Sequence, residues 1–285
     1  MGSGPILRKP KRLLTTAALI ALLIAPLLAQ PSRPYRILVT NDDGVNAPGL
    51  LALVRTLQSL GEVTVVAPAD NQNAKSHSLT MIDPIYADSV TIPGAVSATA
   101  VVATPVTCVK LALQSLMSER PDLVVSGINP GYNTGMVAYV SGTVGAAREA
   151  ALQGIPATSV SLNRTGANDY RGAAQVTLEI ATVVRQRGLP VGTFLNVAVP
   201  AGARESFKGI RLTTQSGLSG VERYDERKTP YGRRYFWDVY QDADPAKAQE
   251  GTDMAATAQG FVAVTPLRVG EFDQKAFDEL QRVIK

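Results

Sequence analysis

The chain reads as an α/β protein, Rossmann-like and doubly wound, with a mostly parallel sheet, an antiparallel hairpin arm and a closing C-terminal helix. Three observations predict this. Apolar runs of strand length, bounded by turn residues, alternate with amphipathic segments from residue 35 to residue 199. The runs are nearly continuous in Val, Ile and Leu, as strands buried on both faces must be. Beyond Pro200 the alternation gives way to aromatic, turn-punctuated segments of antiparallel character.

The elements follow in order. YRILVT (residues 35–40) is the first strand, and GLLALVRTLQSL (residues 49–60) the first helix. In that helix Leu50, Leu53, Val54, Leu57 and Leu60 recur at steps of three and four and make one apolar face. EVTVVAP is the next strand, and VTCVKLALQSLM, DLVVSGI, GTVGAAREAALQG and ATSVSL continue as helix, strand, helix and strand. A helix over Ala173 to Arg187 and the strand TFLNVAV close the alternating part. GIRLTTQ then opens the antiparallel part, and in VERYDERKTPYGRRYFWDVY Pro230 and Gly232 mark a turn between aromatic strands. GFVAVTPL is a returning strand and FDQKAFDELQRVIK an amphipathic closing helix. Residues 30–285 therefore form one domain, with the arm and returning strand within 200–260.

The N-terminus is different in kind. Arg8, Lys9, Lys11 and Arg12 precede LLTTAALIALLIAPLLAQ (residues 13–30), which is broken by Pro26 and ends on the small residue Ala29. A basic region, a short apolar region and a small exit residue describe an export signal over residues 1–29. An uncleaved membrane anchor is the runner-up, since the apolar run falls just short of the ~18 residues that span a bilayer. Export makes the mature protein periplasmic or secreted, with membrane contact only through the signal. Those four residues also carry the whole formal charge of +4, leaving 24 basic against 24 acidic residues in the body. A neutral body offers no footprint for nucleic acid.

Composition narrows the chemistry. With 285 residues, 45% of them hydrophobic, the chain can bury a sizeable core. One Cys (Cys108) and one His (His77) allow no intrachain disulfide and no structural zinc site of Cys and His ligands. Cys108 lies in an apolar helical pattern and reads as a buried thiol. His77 lies in a polar loop, where a surface residue and a proton-transfer group both fit.

Ligands of doubly wound sheets bind outside the carboxyl ends of the strands. TNDDG and SGINPGYNTG are loops of that type. The first places Asp42 and Asp43 side by side, where repulsion opposes ionising both unless a cation or donor groups hold them. On a strand they would face opposite ways, so both reach one ion only if the strand has turned by Asn41. The candidate loops are rich in oxygen donors: Asp42, Asp43, Asn71, Asn73, Asn129 and Asn133. Such a set suits Mg or Mn first, with Ca a further candidate, over Zn or Cu. SGTVGAAREA (residues 141–150) opens a helix with hydroxyl, flexible backbone and hydroxyl, which fits either a phosphate oxygen or an ordinary helix cap.

Together ILVTNDDGVNAPG, VVAPADN, SHSLT, DLVVSGINPGYN, SGTVGAAREA and GTDMAATAQGFVAVTPL resemble the SurE survival-protein family, in order from Arg36 to about Leu267. The resemblance implies a metal-dependent phosphomonoesterase acting on nucleoside 5' and 3' monophosphates, sometimes on short polyphosphate, with Mn or Mg. It carries the metal ligands onto Asp42, Asp43 and Asn129, and places Asn73 where the family has a Ser. Asn133, Ser141, Gly142 and Thr143 fall on positions that hold the phosphate or shape its pocket. The catalytic residues are then Asp42 and Asp43, Asp42 by preference taking the water's proton or else attacking phosphorus itself. The aromatic arm resembles one that packs on a neighbouring subunit, which implies a homodimer or homotetramer.

The chain departs from the pattern in places. ATPVTC has Thr107 where the family carries an Asp, GYNTG replaces GPNxG, and Asp70 and Gln72 stand in for basic residues. An exported binding protein with weak or no turnover is therefore the alternative. Haloacid-dehalogenase and receiver designs fit less well: the acids here are adjacent, and DLVVSGIN offers Asn129 and no suitable acid.

Overall fold

The computed structural model describes residues 1–2, 33–164, 169–270 and 272–284. Apart from its first two residues, the expected export signal lies outside the described residues. Residues 35–285 form one compact unit.

The elements are β1 (Arg36–Thr40), α1 (Pro48–Leu57), β2 (Glu62–Pro68), β3 (Ala87–Val90), β4 (Ser97–Val101), α2 (Pro105–Leu111), β5 (Leu123–Pro130), α3 (Gly142–Leu152), β6 (Ala157–Leu162), α4 (Arg171–Arg187) and β7 (Thr193–Val199). There follow β8 (Ile210–Leu212), β9 (Val221–Lys228), β10 (Arg234–Gln241), α5 (Asp253–Ala258), β11 (Val262–Arg268) and α6 (Gln274–Leu280). The main sheet runs in the order β3-β4-β2-β1-β5-β6-β7-β11-β8, with β10-β9 forming a separate two-stranded ribbon.

Both faces of the sheet are covered, and β1 shows why its sequence is apolar throughout. Ile37 and Val39 pack on one side with α1 and α4, whereas Leu38 packs on the other with α2 and α3. Leu50, Leu53, Val54 and Leu57 of α1 are fully buried, each worth roughly 1.5–3 kcal/mol against exposure. Cys108 is buried among the residues beneath α2, and burial pushes its thiol up to about 12. That is an inert packing thiol.

Strand order decides where a ligand can sit. From β1 the chain builds outward through β2 and β4 on one side, and then crosses to β5, β6 and β7 on the other. The strands pair in parallel through this region, and the helices that follow β1 and β5 pack on opposite faces, so the connections part at the carboxyl ends of these two strands, where such folds form a crevice. Asp42 follows the one strand, and Asn129 lies near the end of the other.

Three features differ from the sequence expectation. Strands β3 and β4 were not expected, because ADSV and SATAV are short and poor in bulky apolar residues. The segment expected as antiparallel at GIRLTTQ forms β8, which pairs parallel to β11 through Val262 and Ile210. It is β11 that runs antiparallel, against β7, and β8 lies outside it. Finally, the second expected helix holds α-geometry only to Leu111 and continues as a π-turn over Ala112–Leu116.

Candidate active site

Strand β1 ends at Thr40, and the chain turns at once. Asn41 closes the turn from both sides, its Nδ2 donating to the Gly44 carbonyl at 2.8 Å and its Oδ1 accepting from the Gly44 N–H at 3.2 Å. This is the turn that two adjacent carboxylates need if they are to serve one ion. Loop 69–80 crosses beside it, with the Gln72 N–H donating to the Asp42 carbonyl at 2.6 Å.

Asp42 is wedged against the start of α3. The Thr143 N–H donates to its Oδ2 at 3.0 Å, and the Thr143 hydroxyl donates to its Oδ1. Gly142 is required for this approach: a Cβ there would stand 2.9 Å from the Asp42 Cβ. Burial raises the Asp42 pKa, while the hydrogen bonds from Thr143 oppose that rise. The helix N-terminus thus stabilises an anion, and the anion in this structure is a side chain of the protein. Ser141 caps the same helix, its Oγ accepting from the Val144 N–H at 3.2 Å.

Asp43 is less satisfied. Its Oδ2 is buried without a hydrogen-bond partner among the described residues. Burial, then the neighbouring charge of Asp42, pushes its pKa up to about 7, against opposing contributions from the Asn73 side chain and the Arg164 charge. Asn73 itself is exposed, so the loop brings it to Asp43 from the solvent side.

Strand β5 supplies the other wall. Its pairing with β6 shifts register between Ser126 and Asn129, and a Cβ at Gly127 would stand 2.4 Å from the Val160 carbonyl oxygen. Such an irregularity re-aims the residues after it. Asn129 is then fixed by its Nδ2, which donates to the Gly131 carbonyl at 2.7 Å and leaves Oδ1 as the atom that could ligate a cation. Asn133 is held by its backbone, the N–H donating to Ser161 Oγ at 3.1 Å and the carbonyl accepting from Asn196 Nδ2 at 2.8 Å. Its own Nδ2 is buried without a partner among the described residues. The two orphaned atoms have opposite chemistry: one accepts or ligates a cation, the other donates to an anion.

The chain matches the model of the family described as "Survival protein SurE" over residues 37–220. It belongs to the SurE family. It is 45% identical to the 5'-nucleotidase SurE of Syntrophotalea carbinolica, over 86% of this chain and 96% of that one. Against the 5'-nucleotidase SurE of Moorella thermoacetica the identity is 43%, over 82% and 90%. The crystal structure of the SurE protein from Aquifex aeolicus superposes with a TM-score of 0.76 at 35% identity, covering 88% of this chain and all of that one.

Some expected SurE site residues take roles the sequence did not specify. The N–H and hydroxyl of Thr143, expected to face a phosphate, are both given to Asp42. His77 is a hydrogen-bond partner, its Nε2 lying 3.0 Å from Glu149 Oε2. Lys110 Nζ reaches the other oxygen of that buried carboxylate at 3.1 Å. Burial alone would raise the Glu149 pKa, but hydrogen bonds from His77, Gln153 and Lys110 hold it below the usual value. The cluster pins loop 69–80 onto α3. Thr107 pins it too, its Oγ1 accepting from the Thr80 N–H at 2.9 Å.

Two contributors escaped the sequence analysis, Glu149 and Arg164. Glu149 sits in a helix of small residues and looks like a solvent-facing charge. Arg164 follows ATSVSLN, and its position just past a parallel strand was the available signal.

Proposed function

We propose that this SurE-family chain is a metal-dependent phosphomonoester hydrolase acting on nucleoside 5' and 3' monophosphates. The observation that carries the proposal is the adjacent pair of buried Asp42 and half-buried Asp43, one oxygen of which has no partner among the described residues, at the mouth between β1 and β5. The relatives' name, 5'-nucleotidase, supports the substrate class.

The donor set fits a hard divalent cation, Mg or Mn. Every candidate ligand is an oxygen, two carboxylates lie adjacent with raised pKa values, and Asp43 Oδ2 is orphaned. Asp42, Asp43, Asn129 and Asn73 would hold it. A bound divalent cation polarises a phosphoryl oxygen and lowers the pKa of a water.

The chain's own residues divide the remaining work. Thr143 orients Asp42 through two hydrogen bonds. Either acid could take the water's proton: each Asp42 oxygen keeps a lone pair beyond its Thr143 hydrogen bond, and Asp43 Oδ2 has no hydrogen-bond partner among the described residues. Asn133 Nδ2 supplies a buried donor for a non-bridging phosphate oxygen. Ser141 acts by capping α3, and Gly142 by leaving room for Asp42.

An exported binder without turnover is the second proposal, motivated by the departures at Asn73 and Thr107. Thr107 holds loop 69–80 by its hydroxyl and takes nothing from the acid pair, which favours the enzyme. Release of phosphate from 5'-AMP with Mn, abolished by chelator and restored by added metal, is the expected result. Absence of turnover in folded, Mn-loaded protein would leave the binder.

Export to the periplasm or outside completes the proposal, and recovery there of a mature chain starting near Gln30 checks it. Assembly as a dimer or tetramer through the β9–β10 arm is proposed on the arm's exposed aromatic residues.

A further inference from the structure

We infer that Arg164 is a substrate-binding residue that holds a non-bridging phosphate oxygen at the mouth of the site. The inference rests on the phosphomonoesterase reading above and adds a residue that neither motif nor resemblance supplied.

Arg164 stands just beyond the carboxyl end of β6, on the rim where Asp42 and Asn129 emerge. Its Nε and Nη2 both donate to the Pro130 carbonyl, at 3.2 and 2.9 Å. Pro130 directly follows Asn129, so the guanidinium is clamped to the backbone that carries a candidate ligand. A Cβ built on Gly131 would lie 3.7 Å from Arg164 Nη2 and equally 3.7 Å from Asn129 Nδ2. The two side chains therefore flank one point, and glycine leaves that point open. Asp43 also senses the Arg164 charge, which opposes the rise in its pKa.

Charge explains why a cation is wanted here. Two carboxylates and a phosphomonoester dianion repel one another, and one divalent ion cancels only part of that. The adjoining loop adds Asp70 and the uncharged Gln72. A guanidinium has five N–H donors in a rigid fork; two are spent on Pro130, and the others have no partner among the described residues. Its exposure keeps those donors within reach of a ligand. A pre-fixed fork suits phosphate better than a free chain would, since less freedom is lost on binding.

The test uses the whole chain loaded with Mn, with Arg164→Ala and Arg164→Lys beside it. Inorganic phosphate, the reaction product, is titrated calorimetrically. Its Kd should weaken by about tenfold or more in Arg164→Ala and recover in part in Arg164→Lys. KM for 5'-AMP and for p-nitrophenyl phosphate should rise by the same factor, with kcat changed far less and Mn affinity unchanged. Equal phosphate Kd in parent and Arg164→Ala, or no phosphate binding by the parent, overturns the inference. So does a parallel loss of Mn affinity, which would make Arg164 only a prop for Pro130 and Asn129. A KM rise confined to 5'-AMP also overturns it, by moving the contact to the nucleoside. Arg164-dependent phosphate binding without hydrolysis of 5'-AMP would sink the nucleotidase proposal and leave this inference standing.

Discussion

The mouth of the sheet and the hairpin arm are built in contrasting ways. At the mouth Asp42, Asn133, Ser141 and Thr143 are buried, and hydrogen bonds tie them to neighbouring elements. In the arm β9 and β10 pair with each other apart from the main sheet, while Tyr224, Phe236 and Trp237 lie more than half exposed. Tyr235 and Trp237 make an edge-on contact within the ribbon, their ring centroids 6.4 Å apart. A two-stranded hairpin alone is marginal in water, and exposed aromatic surface of this kind marks an interaction site. The contrast teaches that the mouth is held by contacts to distant parts of the chain, whereas the arm's aromatic side chains are left largely uncovered by the described residues.

The strongest blow to the mouth is Asp42→Asn. An amide can keep both Thr143 contacts, its oxygen accepting from the N–H and its nitrogen donating to the hydroxyl, so the variant loses the ligand charge and sheds a carboxylate whose pKa burial raises. Turnover should fall at least about a hundredfold, while the metal-free variant at neutral pH is at least as stable as the parent. Phosphate-release assays and denaturant unfolding read the two effects. Parent-like turnover in folded protein would dissolve the distinction between mouth and arm.

Shortening the arm comes next. Replacing residues 222–240 by a short turn should convert a dimer or tetramer into a monomer and leave the main sheet folded. Light scattering at micromolar concentration reads the mass, and circular dichroism reads the fold. If the parent is already a monomer, the arm's aromatic surface belongs to some partner other than a second copy.

The smallest effect sharpens the mouth itself. Asp43 has a folded-state pKa of about 7 against an ordinary 3.8. A raised pKa means the stability it contributes is full below the unfolded value and is lost as pH rises through 7. Metal-free Asp43→Asn should therefore match the parent near pH 4 and exceed it at pH 8, by on the order of 1–3 kcal/mol. Urea unfolding in chelator at the two pH values checks this. A gap that does not change with pH would mean that Asp43 is not strained in the empty site.

By itself the sequence determined the α/β alternation, the turn after the first strand and the acid pair, because these are local. A buried parallel strand must be apolar on both faces, as Ile37, Leu38 and Val39 are, and polar residues that end it stand at the ligand-binding rim. Asp42, Asp43, Asn129 and Asn133 were legible for that reason. Tertiary structure alone decided which groups meet at the rim. Whether the Thr143 hydroxyl faces a ligand or Asp42 depends on a contact 101 residues apart in the chain. His77 reaches Glu149 across 72 residues, and Arg164 reaches Pro130 across 34. The order of β8 outside β11 is likewise a choice among non-local pairings, which short polar strands do not encode. Periodicity reports which face of an element is buried; it carries no information about which distant polar group meets it there.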